Sequence, residues 1–170
     1  IQIARQRKAI PHVTASSEKH EVCYSLGSET AINYKAEDFV ERLREETDGH
    51  GADLIIDFIG APYFASNIDV LAMDGRVVML ATMGGAKMEA FDLRPFFRKR
   101  ARLEASTLRN RSLRYKSKLT SDFRGEMLPQ LAAGRVRPVI DSVFDWEDVR
   151  KAHARMEANE NAGKIVLRVR

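Results

Sequence analysis

Thr14-Ala15-Ser16-Ser17-Glu18-Lys19 sets two hydroxyls and a primary amine side by side, between a short β-branched stretch and an amphipathic one. Hydroxyls and an ammonium at the first turn of a helix, whose free N–H groups attract anions, suit a phosphate. Taken alone, the same residues make an ordinary capped helix with a surface lysine. Tyr34, in Ile32-Asn33-Tyr34-Lys35, offers a ring to stack on a base or a hydroxyl to lean on the same anion, and equally an ordinary packing residue. Ile59-Gly60-Ala61, Met83-Gly84-Gly85 and Ser106-Thr107-Leu108-Arg109 each fall at the carboxyl end of a stretch patterned as a strand. Glycine at such a place permits close approach of backbone and ligand, or a plain turn.

Other chemistries lack their residues. One cysteine, Cys23, excludes an internal disulfide and a multi-thiolate zinc site, and suits a small core position. His12, His20, His50 and His153 are scattered rather than spaced as ligands, so no metal is expected. No G-x-G-x-x-G and no nucleophile elbow occur, and Asp53 with Asp57 reads as a strand boundary and a strand-end carboxylate. No side chain is singled out as catalytic. No stretch approaches the ~18 apolar residues of a membrane span, and the first residues lack the order of a secretory signal, so a cytoplasmic protein is expected. The net charge is +4, with ten Lys or Arg residues against Glu104 alone between Leu93 and Lys118. That run is better read as a solvated margin than as a nucleic-acid surface.

The elements that must position these residues follow from periodicity. Ile1 to Lys8 resembles the tail of an amphipathic helix. Ile10–Ala15 predicts a strand, and Ser17 predicts the cap of a helix over Glu18–Leu26 with Val22, Cys23 and Leu26 on one face. Ala31–Tyr34 predicts a strand and Ala36–Thr47 an amphipathic helix. Ala52–Gly60 is a continuous apolar run, which predicts a strand buried on both faces. Pro62 opens a helix with Phe64, Ile68 and Leu71, and Asp74-Gly75 turns the chain into a strand at Arg76–Leu80. A short helix at Pro95–Phe97, an edge strand at Arg102–Leu108, and a long helix at Tyr115–Ala133 with Leu119, Phe123, Met127, Leu128 and Leu131 on one side come next. A strand, helix and strand close the chain. This alternation predicts an α/β fold with a doubly wound parallel sheet, Rossmann-like, which binds ligands beyond the carboxyl ends of its strands. In such a fold, a cation after the second strand accommodates the 2′-phosphate of NADP.

Ala31–Lys35, Asp57–Gly60, Met83–Gly85, Ser106–Arg111, Arg137–Asp141, Ala152–Asn159 and Gly163–Leu167 together resemble the zeta-crystallin-like quinone oxidoreductases of the medium-chain dehydrogenase/reductase superfamily. The resemblance covers the whole chain. It implies an incomplete Rossmann domain over 1–135, without its first strand and glycine-rich loop, and a strand-helix-strand over 136–170 returning to a GroES-like substrate domain that lies outside this chain. The implied reaction is zinc-independent transfer of a hydride or electrons from NADPH to a quinone or related electron-poor carbonyl. By the same likeness Ser17, Lys19 and Tyr34 hold the 2′-phosphate. Ser16 stands where the family usually has glycine, near the adenosine ribose. Leu80, Thr82 and Met83, with Ser106, Thr107 and Leu108, line the nicotinamide side, and Ile59, Gly60 and Gly84 at the strand ends are further cofactor-binding candidates. A homodimer through the 103–108 edge strand is implied as well. An enoyl or alkenal reductase of the same superfamily, a nucleic-acid-binding module and a non-catalytic dimerisation fragment are the alternatives.

Overall fold

The computed structural model describes residues 1–169. Helices and strands alternate: α1 (Gln2–Gln6), β1 (His12–Ala15), a 3-10 turn (Ser17–Lys19), α2 (His20–Ser25), β2 (Thr30–Asn33), α3 (Phe39–Glu46), β3 (Ala52–Asp57) and α4 (Ala61–Val70). They continue with β4 (Leu71–Met79), α5 (Arg94–Arg98), β5 (Arg102–Ala105), α6 (Leu113–Ala132), β6 (Ile140–Asp145), a 3-10 turn (Trp146–Asp148), α7 (Val149–Glu157) and β7 (Lys164–Arg168). All pairings between these strands are parallel: β1 with β2, β4 between β3 and β5, and β6 with β7. Parallel neighbours need crossovers, which the intervening helices supply, and the outcome is the Rossmann-like α/β architecture.

Two compact units divide the chain. The sheet unit comprises His12–Ser17 and Thr30–Leu119, and the second unit comprises Ile1–Pro11, Glu18–Glu29 and the residues from Thr120 onward. In the sheet unit, Ile32, Val40, Leu43 and Val70 form one buried cluster, and Phe64, Ile68, Leu71 and Val77 another. Ile68 and Val77 are wholly buried; burial of such a side chain contributes about 1.5–3 kcal/mol. Asp38 accepts a hydrogen bond from the Val40 amide at 2.8 Å and so starts α3 later than its amphipathic spacing suggests. Lys99 donates to the carbonyls of Asp69 and Leu71 at the end of α4, where a cation suits the dipole, and burial pushes its pKa down.

Several expectations change. β3 is buried on one face only, because Leu54 and Ile56 are 56% and 51% exposed and no layer of the sheet unit covers them. Spacing identifies an apolar face; it does not supply the layer that covers it. For the same reason α6 buries Met127 but leaves Leu119, Phe123, Leu128 and Leu131 exposed. Ser17 caps no α-helix: it opens the 3-10 turn, and α2 starts behind Lys19 without a side-chain cap. β4 begins at Leu71 rather than Arg76, with a register shift against β3 that absorbs Asp74-Gly75. β5 ends at Ala105, so Ser106, Thr107 and Leu108 follow the strand.

In the second unit α7 packs on both strands of the β6–β7 pair. Asp141 on β6 accepts from Arg155 of α7 at 2.8 and 3.1 Å and from the Ala162 amide at 2.9 Å. This clasp fixes the turn between α7 and β7.

Candidate functional site

The carboxyl ends of β3, β4 and β5 stand side by side in the sheet unit. Beyond the strands the ladder continues irregularly. The Leu80 amide donates to the Asp57 carbonyl (2.7 Å), Met83 to Phe58 (3.0 Å), Gly84 to Ile59 (2.8 Å) and Ala61 to Gly85 (2.9 Å). A parallel bridge joins Gly60 to Gly85, and the Ser106 amide donates to the Met79 carbonyl at 2.9 Å. Ile59, Gly60, Leu80, Thr82, Met83, Gly84 and Ser106 are therefore gathered on one ridge, with Thr107 and Leu108 following Ser106 in the chain.

The ridge explains its glycines. Gly60 has φ +90°, and a Cβ there would meet the Gly85 carbonyl oxygen at 2.6 Å. A Cβ on Gly84 would meet Ile59 Cγ2 at 2.8 Å. The close approach is thus between two loops of the protein. Asp57 holds the same turn from beneath: 4% exposed, it accepts from the Ile59 amide at 2.7 Å and the Gly60 amide at 3.2 Å. The sequence offered only a strand-end carboxylate there, and its backbone partners two and three residues on are the signal of an Asx-type turn. Leu80, Met83 and Leu108 are exposed around the ridge. Next to it a cleft of about 500 Å³ is lined by Ala61, Pro62, Gly84, Gly85, Met88 and Phe91, among others.

At the tips of β1 and β2, Ser16 is buried and Ser17 exposed, while Tyr34 lies just past β2 at 39% exposure. Burial raises the pKa of the Tyr63 hydroxyl, with smaller contributions from Tyr34 and Asp57, so these groups share one neighbourhood. Phe39 stacks on Tyr63 with centroids 5.2 Å apart. Neither Phe39 nor Tyr63 was distinguishable in the sequence from ordinary helix residues.

Lys19 belongs to the second unit, and its Nζ donates to Asn159 Oδ1 at 2.7 Å. Among the described residues it has no carboxylate partner, so its charge is not neutralised locally. The basic run from Leu93 to Lys118 is by contrast largely engaged. Arg94 pairs with Asp92 and Arg100 with Asp74, Lys116 donates to the Arg109 carbonyl, and Arg111 lies 4.6 Å above the Tyr115 ring.

A family profile described as zinc-binding dehydrogenase matches residues 26–167. A curated 2-haloacrylate reductase of Burkholderia sp is 28% identical over 155 residues, covering 90% of this chain and 46% of its own length. A crystal structure of an NAD-dependent alcohol dehydrogenase superposes with TM-score 0.82 at 29% identity, covering 99% of this chain and 46% of its own. A quinone oxidoreductase structure from Pseudomonas syringae pv. Tomato DC3000 gives TM-score 0.80 at 25% identity, covering 98% and 51%. The chain spans 34% to 46% of the length of the first four curated relatives it matches.

Proposed function

This chain belongs to the zinc-binding dehydrogenase family of medium-chain dehydrogenases/reductases, and from that premise we propose that its protein reduces a quinone or related electron-poor carbonyl with NADPH. The observation that carries the cofactor reading is Lys19, an ammonium hydrogen-bonded to the neutral amide of Asn159. Likeness to a quinone oxidoreductase and a 2-haloacrylate reductase supports the reductive direction and an electron-poor acceptor.

In this reading Lys19 of the second unit binds the 2′-phosphate, and Ser17 and Tyr34 of the sheet unit offer hydroxyls at the tips of β1 and β2. Asp57 fixes the Ile59–Gly60 turn, and Leu80, Thr82, Met83 and Gly84 shape the nicotinamide side with Ser106, Thr107 and Leu108. When bound, the reduced nicotinamide supplies a hydride, and a quinone that takes it with a proton from solvent becomes the hydroquinone. The chain's part is to orient the ring and acceptor and to exclude water. Among the described residues no group of three His, Cys, Asp or Glu side chains converges as metal ligands. Pairing of two copies through the β5 edge and the residues up to Leu108 is part of the same proposal. Among the described residues β5 pairs with β4 alone, and Leu103 on it is exposed.

The alternative is an alcohol dehydrogenase using NAD, favoured by the 0.82 superposition. Absorbance at 340 nm separates the two when NADPH is offered with benzoquinone or an enone, and NAD with a primary alcohol. The proposal expects NADPH loss with the acceptors. NADH formation from the alcohol, with no NADPH consumption, would reverse it.

A further inference from the structure

Asn159 takes the left-handed conformation, φ 55°, immediately after the cap of α7. Asparagine tolerates that backbone better than most residues, which by itself accounts for an amide at a helix end. Its side chain does something more. An ammonium only donates, so the Lys19 contact at 2.7 Å fixes Oδ1 toward Lys19 and leaves the Nδ2 hydrogens directed elsewhere. Among the described residues, neither those hydrogens nor the remaining ammonium hydrogens have an acceptor. Two donors of different origin, 140 positions apart in the chain, therefore stand together with hydrogens to give.

The turn carrying Asn159 is braced. The Asn159 amide donates to the Met156 carbonyl at 3.0 Å, Arg155 pairs with Glu160 at 3.4 Å, and Asp141 holds Arg155 and the Ala162 amide. Lys19 is thus tethered to a rigid part of its own unit rather than left on a free four-carbon stem. The identity of the tether matters. An aspartate would hold the ammonium equally well and cancel its charge, whereas the amide holds it and leaves it fully positive for a phosphate, which carries about −1.5 to −2 at neutral pH.

We propose that Asn159 is a positioning residue for the 2′-phosphate of the dinucleotide, holding the Lys19 ammonium in place without neutralising it and adding an amide donor beside it. This rests on the NADPH reading above and extends it to a residue outside the segment after the first strand.

Calorimetric titration of the full protein with 2′,5′-ADP, and with ADP as the control lacking the 2′-phosphate, tests it. Lys19→Ala serves as the test of the underlying reading. Asn159→Gly keeps the left-handed backbone and removes the amide, so its thermal midpoint stays at the wild-type value, while 2′,5′-ADP affinity falls roughly threefold. Asn159→Asp keeps the hydrogen bond but pairs the charge, and affinity falls about tenfold or more with ADP unaffected. If Lys19→Ala loses the preference for 2′,5′-ADP while both Asn159 variants retain it, the inference is overturned and the NADPH reading survives. If the wild type shows no preference, or Lys19→Ala keeps it, the reading and the inference both fall.

Discussion

The strand-tip ridge and the Lys19–Asn159 corner are built by opposite means. On the ridge, the working groups are backbone. Gly60 and Gly85 touch where no side chain fits, and a buried carboxylate holds the turn. At the corner, side chains do the work, and charge pairs on α7 and β6 set where they stand. A backbone surface is intolerant of added atoms and insensitive to salt. A side-chain surface tolerates small changes of shape and responds to a change of charge.

The sharpest way to break this contrast is to put a methyl group on the ridge. Gly60→Ala places Cβ 2.6 Å from a backbone oxygen and 3.0 Å from Thr82 Cα, at a φ that side chains disfavour. A loss of about 3 kcal/mol in denaturant unfolding is expected; a loss below ~1 kcal/mol would mean that the two loops separate easily. Asp57→Ala leaves two amides without their buried acceptor and should cost about 2 kcal/mol. Retained stability would show that water replaces the carboxylate.

The second region answers to pH. Arg155, and after it the Ala162 amide, bind the ionised form of Asp141 and hold its carboxyl well below the usual range. A depressed carboxylate contributes stability that is complete above its unfolded value of about 3.9 and is lost as pH falls through the folded value. Thermal midpoints followed downward from pH 5 should drop more steeply for the wild type than for Asp141→Asn. Parallel curves would remove the clasp from the account. The smallest effect is a control. Gly125, inside α6, has nothing within 4 Å of a built Cβ. Gly125→Ala should therefore stabilise by roughly 0.5–1 kcal/mol, in contrast to Gly60.

Legibility in the sequence divides along the same line. The ridge was readable because each of its segments follows a stretch patterned as a strand, and parallel strands bring such ends together. The reason for Gly60 was not readable, since the group it approaches belongs to a loop whose register only the fold sets. Lys19 was readable from its place after β1. Its partner was not, because 140 positions separate Asn159 from it and no local pattern links them. The exposed faces of β3 and α6 show a further boundary: apolar spacing tells which side seeks cover, while the covering layer is a property of tertiary assembly.

The central claim is tested most directly by a crystal structure of the complete protein with NADP⁺. The account predicts the 2′-phosphate within hydrogen-bonding distance of Lys19 Nζ, and the nicotinamide ring against the Gly60, Met83–Gly84 and Ser106 backbone. A cofactor whose 2′-hydroxyl end is met by a carboxylate, with Lys19 still bonded to Asn159 alone, would contradict it.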